Sequence, residues 1–172
     1  FGGEGLSKER VITFGSPSLS GILTQPDEGA PQSEVGMLLL NPGMLTRIGP
    51  QRIHVRLARE AAALGVTSLR FDFSGVGESP PRVDNLDTER YAIEETAAAI
   101  EALKQAGCSR ILVAGLCSGA EVALRIALED PTVAEAVLIN PRLIDVEIAT
   151  MEFAKAHKDL ERRHLMRRML EF

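Results

Sequence analysis

A cysteine stands between two glycines at the spacing usual for a nucleophile: Gly115-Leu116-Cys117-Ser118-Gly119. An apolar run, "RILVA", precedes the five residues and a helical one, "AEVALRIAL", follows them. A chain that reverses sharply from strand to helix strains its central residue and turns that side chain outward. Strand and helix nearly touch in such a turn, so the residues two before and two after must be small, as Gly115 and Gly119 are. Moving the nucleophile to Ser118 would put Leu116 in one of those slots, so the frame selects Cys117. A thiol at a helix N-terminus meets the positive end of the helix dipole, which favours the thiolate. The backbone N–H of Ser118 is then aimed where an oxyanion forms when sulfur adds to a carbonyl carbon. The plain alternative is a compact residue that tolerates a tight turn.

Two further loops carry unusual residues. "NPGML" (41–45) offers the N–H of Met44 as a second oxyanion donor, beside Gly43, whose missing side chain lets a substrate approach. "FDFSGVGES" (71–79) contains Gly75 and Gly77 but no third glycine, and Pro80-Pro81 stand where a helix should begin. A dinucleotide fingerprint is therefore rejected. The reading is a structural loop on the site's rim, with Asp72 and Ser79 bonding backbone. Arg47 and Arg52 are candidates to meet an anionic substrate group, against the alternative of ordinary helix-surface charge. His54 reads as a surface or packing residue, and His157 and His164 as members of a solvated charged face.

These residues need elements to position them. β-type runs at 10–15 and 19–26 flank Gly15-Ser16-Pro17 and read as a hairpin. The continuous apolar run at 35–41 reads as a strand buried on both faces, 110–116 as another buried strand, and 66–73 and 134–140 as two more strands. Between them, 49–65, 86–107 and 118–130 show helical patterning. In the first of these, Ile53, Leu57, Ala61 and Leu64 form the expected buried stripe, with Pro50 in the opening turn. Asp87 or Thr88 caps the second. Strands alternating with helices imply a mostly parallel sheet with helices on both faces. Ligands bind such sheets at the carboxyl ends of the strands, where all three loops emerge. Residues 1–145 read as this core, and 146–172 as a charged helical segment, lid-like or covering the sheet edge.

The bulk numbers agree with one soluble domain: 172 residues, 45% hydrophobic and 25% charged. A net charge of −5 gives no invitation to nucleic acid, and no apolar run reaches membrane-spanning length. Cys108 and Cys117 flank a strand that extends about 23 Å, too far for a disulfide, so both read as free thiols of a reducing, cytoplasmic protein. Nothing in the sequence calls for a cofactor or a metal.

Together the three loops resemble the α/β-hydrolase superfamily. "NPG" stands where its oxyanion "HG" commonly stands, "DFSGVGES" matches "D-x-x-G-x-G-x-S", and "GLCSG" matches "G-x-S/C-x-G". More narrowly, "NPGMLTRIGPQRIHVRLAREAAALG" and "LRFDFSGVGES" are similar to the exosortase-associated hydrolases of bacterial exopolysaccharide clusters. The resemblance implies a three-layer α/β sandwich, with about six of the usual eight strands present. It also implies a triad in the order nucleophile, acid, histidine. Asp145 is a weak candidate for the acid, and no histidine stands where the base should. The expectation is therefore a hydrolase of esters or thioesters with a small-molecule acyl substrate, its histidine and acid lying beyond residue 172. The competing expectation is a non-catalytic module of the same fold, its open sheet edge covered by the helical tail or by a second copy.

Overall fold

The computed structural model describes residues 7–84 and 86–141. β1 (Lys8–Phe14) and β2 (Leu19–Gln25) pair antiparallel, Lys8 opposite Gln25 and Phe14 opposite Leu19, around the turn at Gly15-Ser16-Pro17. β2 then pairs antiparallel with β4 (Thr67–Phe71). β3 (Val35–Leu40), β4, β5 (Arg110–Leu116) and β6 (Val133–Ile139) run parallel, giving one sheet ordered β1-β2-β4-β3-β5-β6.

Successive leucines of β3 show why this strand lacks an apolar–polar alternation. Leu38 and Leu40 join a core with Leu69, Phe71, Val113, Ile100, Leu103 and Ile126, on the side of α2 (Thr88–Gln105) and α3 (Ser118–Glu129). Leu39 points the other way, against Ala58 of α1 (Ile53–Ala63) and Ala114. Side chains alternate across a sheet, so a strand with helices over both faces needs apolar residues at every position. The result is the three-layer α/β sandwich, with an antiparallel hairpin leading into a parallel sheet.

β3 is central. The chain leaves it through α1 to reach β4 on one flank, then returns through α2 to β5 on the other. That reversal opens a crevice outside the carboxyl ends of β3 and β5.

α1 departs from the expected face. It buries His54, Val55, Ala58, Ala61 and Ala62, while Ile53 and Leu57 are more than a third exposed and Leu64 is 82% exposed. Small side chains let the helix sit close to the sheet and push the larger residues to its flanks. Pro50 likewise does not open the helix. It begins a 3-10 turn (Pro50–Arg52) in which Gln51 and Arg52 have φ of 49° and 61°, and α1 starts after it. For α2 the cap is Asp87, whose carboxylate accepts the Arg90 N–H at 2.9 Å.

Candidate active site

Cys117 is the single residue between β5 and α3, at φ 56° and ψ −120°. That conformation is costly for any residue with a Cβ and persists only where surroundings over-determine it. Here they do: the Cys117 N–H donates to the Ile139 carbonyl at 2.9 Å, and the Cys117 carbonyl accepts the Ala120 N–H at 2.9 Å. A Cβ on Gly115 would collide with the Gly119 carbonyl, and one on Gly119 would lie 2.7 Å from the carbonyl oxygens of both Leu40 and Asn41. The glycines thus let α3 approach β5 and β3 at once. Cys117 is half-buried and free, whereas the other free thiol, Cys108, is buried, which pushes its pKa up.

The loop after β3 faces this corner. Leu45 N–H donates to the Pro42 carbonyl at 3.1 Å, closing a turn in which Gly43 has φ 51°. No atom lies within 4 Å of where a Gly43 Cβ would stand, which leaves open space in front of the loop. Met44 caps the turn, 73% exposed, and among the described residues its N–H is not taken by a backbone or side-chain acceptor. The Ser118 N–H lies in the first turn of α3, where backbone donors have no intrahelical acceptor. Gly43 N–H donates to the Ser118 hydroxyl oxygen at 2.7 Å, so the loop and the elbow touch.

The loop after β4 supplies the rim. Asp72 is fully buried and accepts the Arg47 N–H at 2.6 Å, the Glu78 N–H at 3.2 Å and the Arg47 guanidinium. Gly77 is required there, because a Cβ would run into the Asp72 carboxylate. Ser79 donates its hydroxyl to the Asp72 carbonyl at 2.6 Å and accepts the Ser20 N–H at 2.9 Å, tying the loop back to β2. Gly75, with φ 76°, donates its N–H to the Pro80 carbonyl at 3.1 Å. Arg47, a candidate from sequence to meet an anionic substrate group or else ordinary helix-surface charge, has its guanidinium engaged by Asp72 and, at 2.7 Å, by Glu78. That side chain is only 15% exposed.

His54 sits beneath the same loop, its ring where a Cβ on Gly49 would fall. Its Nδ1 lies 2.9 Å from Asn41 Oδ1, while Asn41 Nδ2 donates to the Phe71 carbonyl at 2.8 Å. The amide oxygen is thereby the acceptor, so Nδ1 carries the imidazole proton. Burial, helped by the Arg70 charge, lowers the His54 pKa to about 4. It is a packing residue bonded to Asn41, not a base on Cys117. Asp145, His157 and His164 lie outside the described residues.

A cavity of about 210 Å3 lies apart from the elbow, lined by Ser74, Gly75, Pro81, Arg82, Leu86 and Tyr91. Its polar wall is already satisfied: Glu95 accepts both the N–H and hydroxyl of Ser74, and Arg82 pairs with Asp84, Glu94 and Glu95. Among the described residues no group of His, Cys, Asp or Glu is placed to hold a metal, and no helix is long and apolar enough to cross a membrane.

The family model for the alpha/beta hydrolase family matches residues 38–171, which spans the β3 loop, the rim loop and the elbow together. This chain belongs to the alpha/beta hydrolase family. Among solved structures, this chain is similar to the Pyrococcus furiosus esterase Pf2001 at a TM-score of 0.61 and 23% identity. It is also similar to an alpha-beta serine hydrolase homologue from Coxiella burnetii, at 0.62 and 22%. The alignments cover 80% of this chain and 52% of the first, and 87% of this chain and 67% of the second. Another likeness, at a TM-score of 0.63 and 20% identity, is to a putative alpha/beta hydrolase from Agrobacterium tumefaciens, covering 82% of this chain and 64% of that one. The chain thus spans about half to two thirds of the length of these structures. No curated protein matches it by sequence.

Three contacts that assemble the site escape a reading of the sequence: Ser118 hydroxyl with Gly43, Arg47 with Asp72, and His54 with Asn41. A sequence signal exists only for the second, an arginine just beyond a glycine turn facing a buried strand-end aspartate.

Proposed function

We propose that this hydrolase transfers an acyl group from an ester or thioester to water through a covalent thioester on Cys117. The observation that carries the reading is the strained, doubly hydrogen-bonded backbone of Cys117 at the crevice between β3 and β5. In the first step the Cys117 sulfur adds to the substrate carbonyl carbon. The carbonyl π pair moves to oxygen, where the N–H groups of Met44 and Ser118 receive it. Collapse expels the alkoxide or thiolate of the leaving group, which takes up a proton. Water then adds to the enzyme thioester and releases the acid, restoring the thiol.

A histidine and an acid from outside the described residues complete the machinery, Asp145 being one candidate for the acid. Support for an ester substrate comes from the Pyrococcus furiosus protein, described as an esterase. The loop sequences 41–65 and 69–79 support a place among the exosortase-associated members, and two unpaired thiols suit a reducing compartment such as the cytoplasm.

The test is hydrolysis of a short nitrophenyl ester and its thioester analogue by the full-length product. Cys117→Ala should lower the rate at least about a hundredfold. Retention of the rate by Cys117→Ala would remove the cysteine from the mechanism. Iodoacetamide should modify Cys117 well ahead of Cys108, which burial shields.

A further inference from the structure

The loop that presents the Met44 amide has almost nothing apolar to hold it. Met44, Leu45 and Ile48 are 73%, 48% and 42% exposed, so its large side chains do not anchor it in a core. A segment with few buried contacts is ordinarily among the first to open. Yet an oxyanion donor works only when it is held in place before the charge develops.

What fastens the loop is a polar contact at each end. At the start, Gly43 N–H donates to the Ser118 hydroxyl oxygen at 2.7 Å, and Ser118 is fixed on α3 beside the nucleophile. At the finish, Arg47 donates its backbone N–H to Asp72 at 2.6 Å and its guanidinium to Asp72 and Glu78. Asp72 is fully buried at the end of β4, and its own loop is secured to β2 through Ser79. Charge-assisted bonds to a buried carboxylate are stronger than neutral ones. Met44 stands between the two fastenings.

We propose that the side chains of Ser118 and Arg47 are positioning residues that hold the Met44 amide ready for the oxyanion. This rests on the acyl-transfer reading, to which it adds the device that pre-forms the oxyanion pocket. Ser118 then serves twice, its N–H as a donor and its hydroxyl as the near fastening. Arg47 acts from the far end and does not touch the reacting atoms.

Two thiol reagents separate positioning from general damage. A methyl trifluoromethyl ketone adds reversibly: the Cys117 sulfur bonds to the carbonyl carbon and the π pair becomes an oxyanion that needs the pocket. Iodoacetamide loses iodide to the same sulfur and makes no oxyanion. On the full-length protein, Ser118→Ala and Arg47→Gln should each weaken ketone binding about tenfold, less than the 10²–10³ typical of deleting a donor. Alkylation should be unchanged, and amide hydrogen exchange across 42–47 should speed up. Ser118→Thr, which keeps the hydroxyl, should restore the affinity. Unchanged ketone binding in both variants overturns the proposal, as does an equal fall in binding and alkylation. If the unaltered protein forms no ketone adduct while exchange still responds to both substitutions, the acyl-transfer reading fails and the fastenings stand.

Discussion

At the scale of single residues, Cys117 holds a backbone conformation that glycine adopts freely and other residues do not, at φ 56° and ψ −120°. Strain of that kind costs about 1–3 kcal/mol, whereas replacing alanine by glycine elsewhere in ordered structure usually loses about 0.5–1 kcal/mol. The two effects oppose one another at this corner, and the larger one should win. Cys117→Gly should therefore be more stable than Cys117→Ala, by about 1 kcal/mol in urea unfolding, although both lack the thiol. A lower midpoint for the glycine variant would show that the corner is not strained. Gly115→Ala should go the other way, losing 2 kcal/mol or more by the roughly 1–3 kcal/mol scale of overpacking plus a displaced helix, because its Cβ meets the Gly119 carbonyl. The need for Gly115 is legible in sequence because the clash it relieves, with Gly119, lies within five consecutive positions, whereas Gly119 makes room for the distant Leu40 and Asn41 carbonyls. The Ser118 hydroxyl contact is not, since its partner Gly43 is 75 positions away and nothing local distinguishes that oxygen from a solvated one.

Among the elements, β3 and β5 could be read from continuous apolar runs, because helices cover both of their faces, and β4 from its β-type residues and its place between two helical stretches. The face of α1 could not. A helical period marks several stripes as apolar, and the sequence does not say that Ala58 and Ala62 rather than Leu57 and Leu64 meet the sheet. Close packing decides, and close packing favours alanine. The same layer contains an unexpected polar patch. Thr24 of β2 lies opposite Ser68 of β4, both completely buried, and neither hydroxyl has a hydrogen-bond partner among the described residues. Arg70, two positions along β4, is 5% exposed with its Nε unbonded, while its guanidinium reaches Glu9 at 3.3 Å. Burying an unpaired hydroxyl costs about 1–3 kcal/mol, and removing both hydroxyls at once leaves neither orphan behind. Thr24→Val combined with Ser68→Ala should thus leave the stability measured by urea unfolding unchanged or raise it, by up to about 1 kcal/mol. A clear fall would mean that buried water satisfies both oxygens.

For the molecule as a whole, the chain reversal at β3 fixes where a site can form, and a buried histidine makes the joining of the layers sensitive to acid. His54 of α1 bonds Asn41 at the end of β3, and Asn41 bonds the Phe71 carbonyl at the end of β4. One side-chain chain therefore joins the α1 layer to the two strands that lead into the 41–49 and 72–79 loops. Its proton balance can be followed through. The ring titrates at about 4 when folded and at 6.5 when free, so between those values the unfolded chain binds more protons than the folded one. Stability is then complete above pH 6.5 and is lost as pH falls toward 4. At pH 5 the loss from this group alone comes to about 2 kcal/mol. Glu9 acts later: the hydrogen bond from Arg59 lowers its pKa below 4.5, so its contribution fades only as pH drops under that value. His54→Gln keeps a side-chain N–H that can reach Asn41 but cannot take up a proton near neutrality. Urea midpoints measured at pH 7 and pH 5 should therefore converge in His54→Gln relative to the unaltered protein. The unaltered protein should show the steeper fall, and parallel pH slopes in the two would place the sensitivity elsewhere than at this ring.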